Sequence, residues 1–249
     1  VTGNKAGRIE FFLKSPFMLR IGLLLAACCL AGSLFAQSEL KVGVELFPNI
    51  SHRRLVAQLN DVDPNETQRL ENLEVSRFSY SAGLMAQWRN ERIAFKTGAY
   101  FVESGYQTRR MEVDLRDDIP DGAEDQRTNY VHYFIEIPAE LLFYQTLDDK
   151  NDFLFSMGIS MAVNIANRER ITYYTDDISE QVTEKPEGDN FSGLGYSFIS
   201  GLGWEHHFDG FTTMIQPTFQ FWLSGLLNDP LEQYNRNLYS VGVRTAVKF

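Results

Sequence analysis

Between residues 130 and 144 the chain reads YVHYFIEIPAELLFY, and its side chains alternate without a break. Val131, Tyr133, Ile135, Ile137, Ala139, Leu141 and Phe143 take one set of positions, and His132, Phe134, Glu136, Pro138, Glu140 and Leu142 take the other. Successive residues of a strand point to opposite faces, so this period of two specifies a β-strand with one apolar and one mixed, charged face. The pattern recurs in eight segments, at about 38–47, 76–88, 92–107, 130–144, 153–166, 191–208, 211–223 and 237–249. Their connections sort into two kinds. Short turns follow the second, fourth and sixth segments (RNER, TLDDKND and Asp209-Gly210), and long polar stretches follow the first, third, fifth and seventh.

Alternation alone leaves the direction of the apolar face open: a soluble sandwich or ligand-carrying barrel turns it inward, a membrane barrel turns it out to lipid. Strands of about ten to fifteen residues match a tilted crossing of a bilayer and exceed the usual five or six of globular proteins. Outward aromatic residues gather beside the short turns, at Trp88, Phe143, Phe153, Trp204, Phe211 and Phe249, as an interfacial girdle requires. The expected fold is all-β: an eight-stranded antiparallel up-and-down transmembrane β-barrel with short periplasmic turns and long extracellular loops, occupying residues 37–249 as one domain.

In that fold the opposite face carries Lys41, Lys96, Arg244 and Lys248 as bases and Glu45, Glu136, Glu140 and Glu205 as acids. Eight strands enclose a space that side chains nearly fill, so these groups are expected to form a buried ion-pair network with no open channel. Pro138 and Pro217 interrupt strands four and seven. Each removes a ladder donor, and a bulge or a water facing the interior is expected at both. LVAQLNDV (55–62) has the length for a helical turn or two and no more.

Only one apolar run approaches membrane length, IGLLLAACCLAGSLFA (21–36), which excludes a polytopic helical membrane protein. Lys14 and Arg20 precede it and Ala36-Gln37 offers a small-residue cleavage point, so residues 1–36 read as an export signal, with Met18 a candidate start. Both cysteines, Cys28 and Cys29, fall inside it, and from Gln37 onward disulfide chemistry drops out. A lipoprotein box at Leu25-Ala26-Ala27-Cys28 is the competing reading, opposed by the apolar residues that follow. From Gln37 onward 19 basic side chains face 32 acidic ones, a net charge of −13 that repels phosphate backbones and excludes a nucleic-acid partner.

Catalytic and metal chemistry is sparse. His206-His207 beside Asp209 reads as a turn-exposed polar pair, and His132, Glu136 and Glu140, spaced along one strand face, read as part of the interior charges ahead of an acid–base row. Asp61-Val62-Asp63-Pro64-Asn65-Glu66 imitates the start of a calcium loop, with Glu66 where the loop's glycine belongs and Asn72 where its bidentate glutamate belongs. No cofactor, metal or catalytic residue is expected.

The stretch YFIEIPAELLFY resembles the Y-x-E-I-P-L-L-L-x-Y segment of the PorT-like family of bacterial outer-membrane β-barrels, with Ala139-Glu140 in place of an apolar pair; the leader ending LFAQ and the final aromatic also resemble that group. The resemblance implies a cleaved signal peptide, residence in the outer membrane, and a last strand recognised by the barrel-assembly machinery through β-augmentation, its outward residues being Tyr239, Val241, Val243, Val247 and Phe249. The expected function is non-enzymatic: a structural or accessory subunit of a secretion or cell-surface complex, whose partners are outer-membrane lipid and other surface proteins met through the acidic loops 107–129 and 167–190. An outer-membrane enzyme acting on lipid or peptide, and a soluble lipocalin-like carrier, are the alternatives.

Overall fold

The computed structural model describes residues 39–59, 62–113, 119–120, 122–175, 179–186, 190–229 and 231–249. The export signal expected at 1–36 lies outside them, as do Asp61 and parts of both acidic loops. The described residues form one antiparallel sheet of eleven strands: β1 (Glu39–Ala57), β2 (Glu74–Val75), β3 (Arg77–Asn90), β4 (Ile93–Thr108), β5 (Met111–Glu112), β6 (Asp125–Asp148), β7 (Asn151–Tyr174), β8 (Ser179–Glu184), β9 (Leu194–His207), β10 (Thr212–Trp222) and β11 (Tyr234–Lys248). Pairing runs from β1 through β3, β4, β6, β7, β9, β10 and β11 and returns to β1, so the eight long strands close a ring. The short strands β2, β5 and β8 attach as side branches, to β4, β6 and β7.

Apolar side chains cover the outside of this ring and charges fill its middle. Leu84 and Ile159 are 67% and 63% exposed, whereas Lys96 and Lys248 are 0% exposed. A lipocalin-like carrier would have the reverse arrangement. The interior also holds apolar groups that period two assigns to the charged face without explaining them, among them Phe47, Phe134, Leu142, Leu154, Met214 and Trp222. Two glycines make room for a further ring: a Cβ on Gly83 or on Gly98 would come within 2.7 Å of the Tyr100 side chain.

The turns follow local chemistry. Asn90 pairs with Ile93, leaving a two-residue corner in which Glu91 takes φ 49°. Asp148 closes the next corner by accepting from the Lys150 backbone N–H at 2.8 Å. Gly210, at φ 102°, serves the last, where a side chain would be strained.

Several elements differ from expectation. Strand pairing continues past the apolar band, so β1 runs on to Ala57 and β6 and β7 reach 24 residues each. Much of the two acidic loops is therefore strand, with β5 and β8 folded back along it. The helix lies at Pro64–Leu73 (α1), beyond the 55–62 stretch. Asp63 caps it, accepting from the Asn65 N–H at 2.9 Å, and Pro64 occupies its first turn, where no amide hydrogen is needed. Of the acids that imitate a calcium loop, Asp63 and Glu66 are thus helix-start chemistry, and Asp61 lies outside the described residues.

No bulge occurs at Pro138 or Pro217. Each keeps its pairing to one neighbour, Ser160 and Val243, and falls in a gap of the ladder to the other, β4 and β9. Pro138 faces the interior and Pro217 faces outward, against the expectation for the latter. Pro48 in β1 behaves alike, pairing with Tyr80 and falling in a gap toward β11. Of the two register shifts between β6 and β7, one lies by the short corner, between Thr146 and Asp148, and the other sits between Tyr133 and Phe134, opposite which Ile165 is the extra residue of β7. Past it the inward set of β7 switches from even to odd numbers, bringing Ile171 and Tyr173 inside.

Candidate functional site

Interior charges stack in three storeys. In the middle, Lys96 on β4 reaches Glu45 on β1 at 2.8 Å and Glu140 on β6 at 3.2 Å. Arg244 on β11 meets the same two carboxylates, Glu140 at 2.8 Å and Glu45 at 3.6 Å. Two acids and two bases from four strands form a crossed lattice across the ring. All four are buried, so each charge depends on these partners in place of water. Glu136 stands apart from the lattice: it accepts from Ser160 Oγ and, at 2.5 Å, from Gln220 Nε2.

At the short-turn end Lys248 pairs with Glu205, and Tyr144 donates to Glu205 at 2.8 Å while accepting from Gln87 Nε2 at 2.9 Å. Arg89 lies over the Tyr144 ring at 3.9 Å and binds Asp152 at 2.5 Å. Lys41 sits at this rim, half-buried, beside Glu39 at 3.5 Å and Thr212 at 3.3 Å. Asp152, Glu205 and His207 have ligand atoms within 4.8 Å of one another. Their charges are already answered by Arg89 and Lys248, and His207 bonds Asp152 at 3.0 Å and Thr212 at 3.1 Å, which leaves no negative excess for a cation. His206 contacts Asn151 at 2.8 Å.

The third storey, at the long-loop end, was not singled out in the sequence. Arg53 is fully buried; it pairs with Glu74, reaches Glu71 at 3.2 Å and donates to the Leu70 carbonyl at 2.8 Å. Arg236 grips Glu74 from β11 at 2.8 Å, and Arg77 pairs with Glu103 at 2.6 Å. These contacts fasten α1 and β2 across the mouth of the ring. A signal existed: Arg53 continues the inward phase of Glu45, Phe47, Asn49 and Ser51.

The row His132, Glu136 and Glu140 is held by three separate sets of partners, His132 bonding Asn167 at 2.7 Å. On the outer face, Trp88, Phe143, Phe153, Trp204, Phe211 and Phe249 all lie toward the short turns, with Phe95 stacked on Trp88 at 6.0 Å and Phe155 on Phe143 at 6.2 Å. A second belt, Tyr80, Phe101 and Tyr133, runs across β3, β4 and β6 with centroids 6.4 and 5.7 Å apart. Along β3 the belts are eight residues apart, ~26 Å of strand or ~20 Å of height at a tilt of ~40°. On β11, Val241 and Val243 are exposed and Tyr239 and Val247 partly so; Phe249, the residue after the strand, is exposed as well.

No curated protein matches this chain. Solved structures similar to it include Neisserial surface protein A (11% identity, 84% of this chain and 97% of that one, TM-score 0.37). Others are the attachment invasion locus protein Ail of Yersinia pestis, in complex with the heparin analogue sucrose octasulfate (8%, 85% and 99%, TM-score 0.34), and the N-terminal β-barrel domain of Pseudomonas aeruginosa OprF (10%, 86% and 100%, TM-score 0.33). The family model described as outer membrane protein beta-barrel domain matches residues 35–225. That match spans more than half of the sequence and agrees with the outward apolar face, so the chain belongs to this family of bacterial outer-membrane proteins.

Proposed function

We propose that the protein is a closed eight-stranded transmembrane barrel of the PorT-like kind, that its interior does not conduct, and that it works as a non-enzymatic accessory or surface subunit through its extracellular end. The short corners then face the periplasm. The crossed lattice of Glu45, Lys96, Glu140 and Arg244 carries this reading, because four mutually paired groups fill the mid-section with no charge left over for a passing ion. Elaboration confined to one end supports the rest: α1, β2, β5 and β8 all belong to the long connections. The reactive acids of a barrel enzyme are hard to find, since Glu136 and Glu140 are saturated by their partners.

The test is gentle detergent extraction of the tagged full-length chain followed by identification of co-purifying proteins, beside a variant carrying Glu180→Lys and Glu184→Lys on β8. A discrete partner retained by the native chain and lost by the variant is expected. Discrete conductance steps in planar bilayers, or a hydrolase activity abolished by Glu136→Gln with folding intact, would overturn the reading.

A further inference from the structure

Just beyond the second aromatic belt, the outer face of β6 and β7 changes from apolar to basic. Past the register shift Tyr133 pairs with Ala166, Val131 with Arg168 and Asn129 with Arg170, and residues opposite one another in an antiparallel pair share a face. Arg168 and Arg170 therefore point outward with Tyr133. Arg170 Nη2 donates to the Tyr133 hydroxyl, and Arg168 Nη1 donates to the Asn167 carbonyl at 3.4 Å. Among the described residues neither guanidinium pairs with a carboxylate. The acids of this stretch are engaged or turned away: Glu103 holds Arg77 at 2.6 Å, Asp125 holds Arg110 at 2.8 Å, and Glu169, Glu180 and Glu184 share the opposite face with Ile171 and Tyr173. In so acidic a chain, two uncompensated cations at neighbouring positions of one face call for an outside anion.

Height decides which anion. Val131, opposite Arg168, lies two residues above Tyr133, and Asn129, opposite Arg170, lies four above it. These are ~7 and ~13 Å along the strand, or ~5 and ~10 Å of height at a tilt of ~40°. A tyrosine belt sits at the lipid headgroups, a layer ~5–8 Å deep in each leaflet. Arg168 falls within that layer. The backbone of Arg170 stands above it, but the bond to Tyr133 draws the guanidinium back down to the belt. Both side chains are half-buried, as when an arginine stem lies along a surface and leaves its charged head in the polar layer. Guanidinium groups match phosphate oxygens with paired N–H donors, and two of them answer the charge of a phosphomonoester. We infer that Arg168 and Arg170 bind the phosphate of an anionic lipid headgroup, an inference that rests on the transmembrane barrel reading.

The test is native mass spectrometry of the full chain released from detergent micelles, with dioleoylphosphatidate and dioleoylphosphatidylcholine, which share acyl chains and differ in headgroup. Phosphatidate is expected to be retained more strongly, and Arg168→Gln and Arg170→Gln each to weaken its retention about fivefold. Tyr133→Phe, which frees the Arg170 head, is expected to weaken it about two- to fivefold. Arg54→Gln removes an outward arginine on β1, six residues beyond the Pro48 that pairs with Tyr80, and is expected to change nothing. All four positions face away from the packed interior, so the variants should fold. Equal retention of the two lipids, unchanged retention in the Arg168→Gln and Arg170→Gln double variant, an equal loss in Arg54→Gln, or displacement of the lipid by equimolar inorganic phosphate would overturn the inference. Flotation with phosphatidylcholine liposomes checks the barrel reading separately: a chain that floats yet shows no headgroup preference overturns the phosphate site alone, and one that stays in solution overturns both.

Discussion

Lys96→Met is the sharpest probe of the mid-barrel lattice. The ammonium lies 2.8 Å from Glu45 and 3.2 Å from Glu140, which at an effective dielectric near 20 corresponds to roughly 6 and 5 kcal/mol of attraction. Desolvating an ammonium takes back several kcal/mol, leaving ~3–5 kcal/mol as the expected loss when the base goes and the two acids share Arg244 alone. Adding Glu45→Gln removes the surplus negative charge, so the double variant should be less destabilised than the two singles together, by ~2–3 kcal/mol. Urea unfolding in micelles, followed by fluorescence of the three tryptophans, measures all four corners of the cycle. A single-variant loss below ~1 kcal/mol, or strict additivity, would refute the idea that the lattice acts as one unit.

Trp222→Ala empties a buried position packed at a tilt against Phe134, centroids 4.5 Å apart, and should cost ~3–5 kcal/mol in the same assay. Arg53→Met should leave the barrel assembled while freeing α1, seen as cleavage at the exposed Arg69 by trypsin at least about tenfold faster. At the Asp148 corner the Lys150 backbone N–H, aided by the Asn151 amide, holds the carboxyl below its usual range. Its contribution is therefore present above the ordinary value of ~3.9 and lost as pH falls through the depressed one. The Lys150 amide resonance should titrate with a midpoint below ~3.9, and Asp148→Asn should abolish that titration.

Period two made the strand order, the outward face and the identity of most interior charges readable, because a two-residue repeat leaves no freedom once one side meets lipid. What it left unread has particular causes. Ile165 adds one residue to β7 and inverts every side chain beyond it, an event that alternating residues on either side do not announce. Residues 167–170 are polar on both sides, so the stretch from 167 reads as loop, yet antiparallel pairing continues through it to Tyr174 as β6 and β7 extend together. Asp63-Pro64 is a legible helix start that the alternating loop carboxylates around it obscure. Phe134 and Trp222 occupy positions of the charged face, and only coordinates reveal that they pack against each other between two ionic storeys.

The overhang of β6 and β7 has a mechanical meaning. From Tyr133, in the second aromatic belt, to Asp125, where β6 begins, are eight paired residues, ~26 Å of uninterrupted ribbon. A ribbon pinned in the membrane and braced along both edges behaves as a mast. Under the proposed function, a partner bound at its tip would meet it at a set altitude above the lipid headgroups and at a bearing dictated by the barrel, so lengthening or shortening the hairpin by pairs of residues would tune reach without disturbing the anchor.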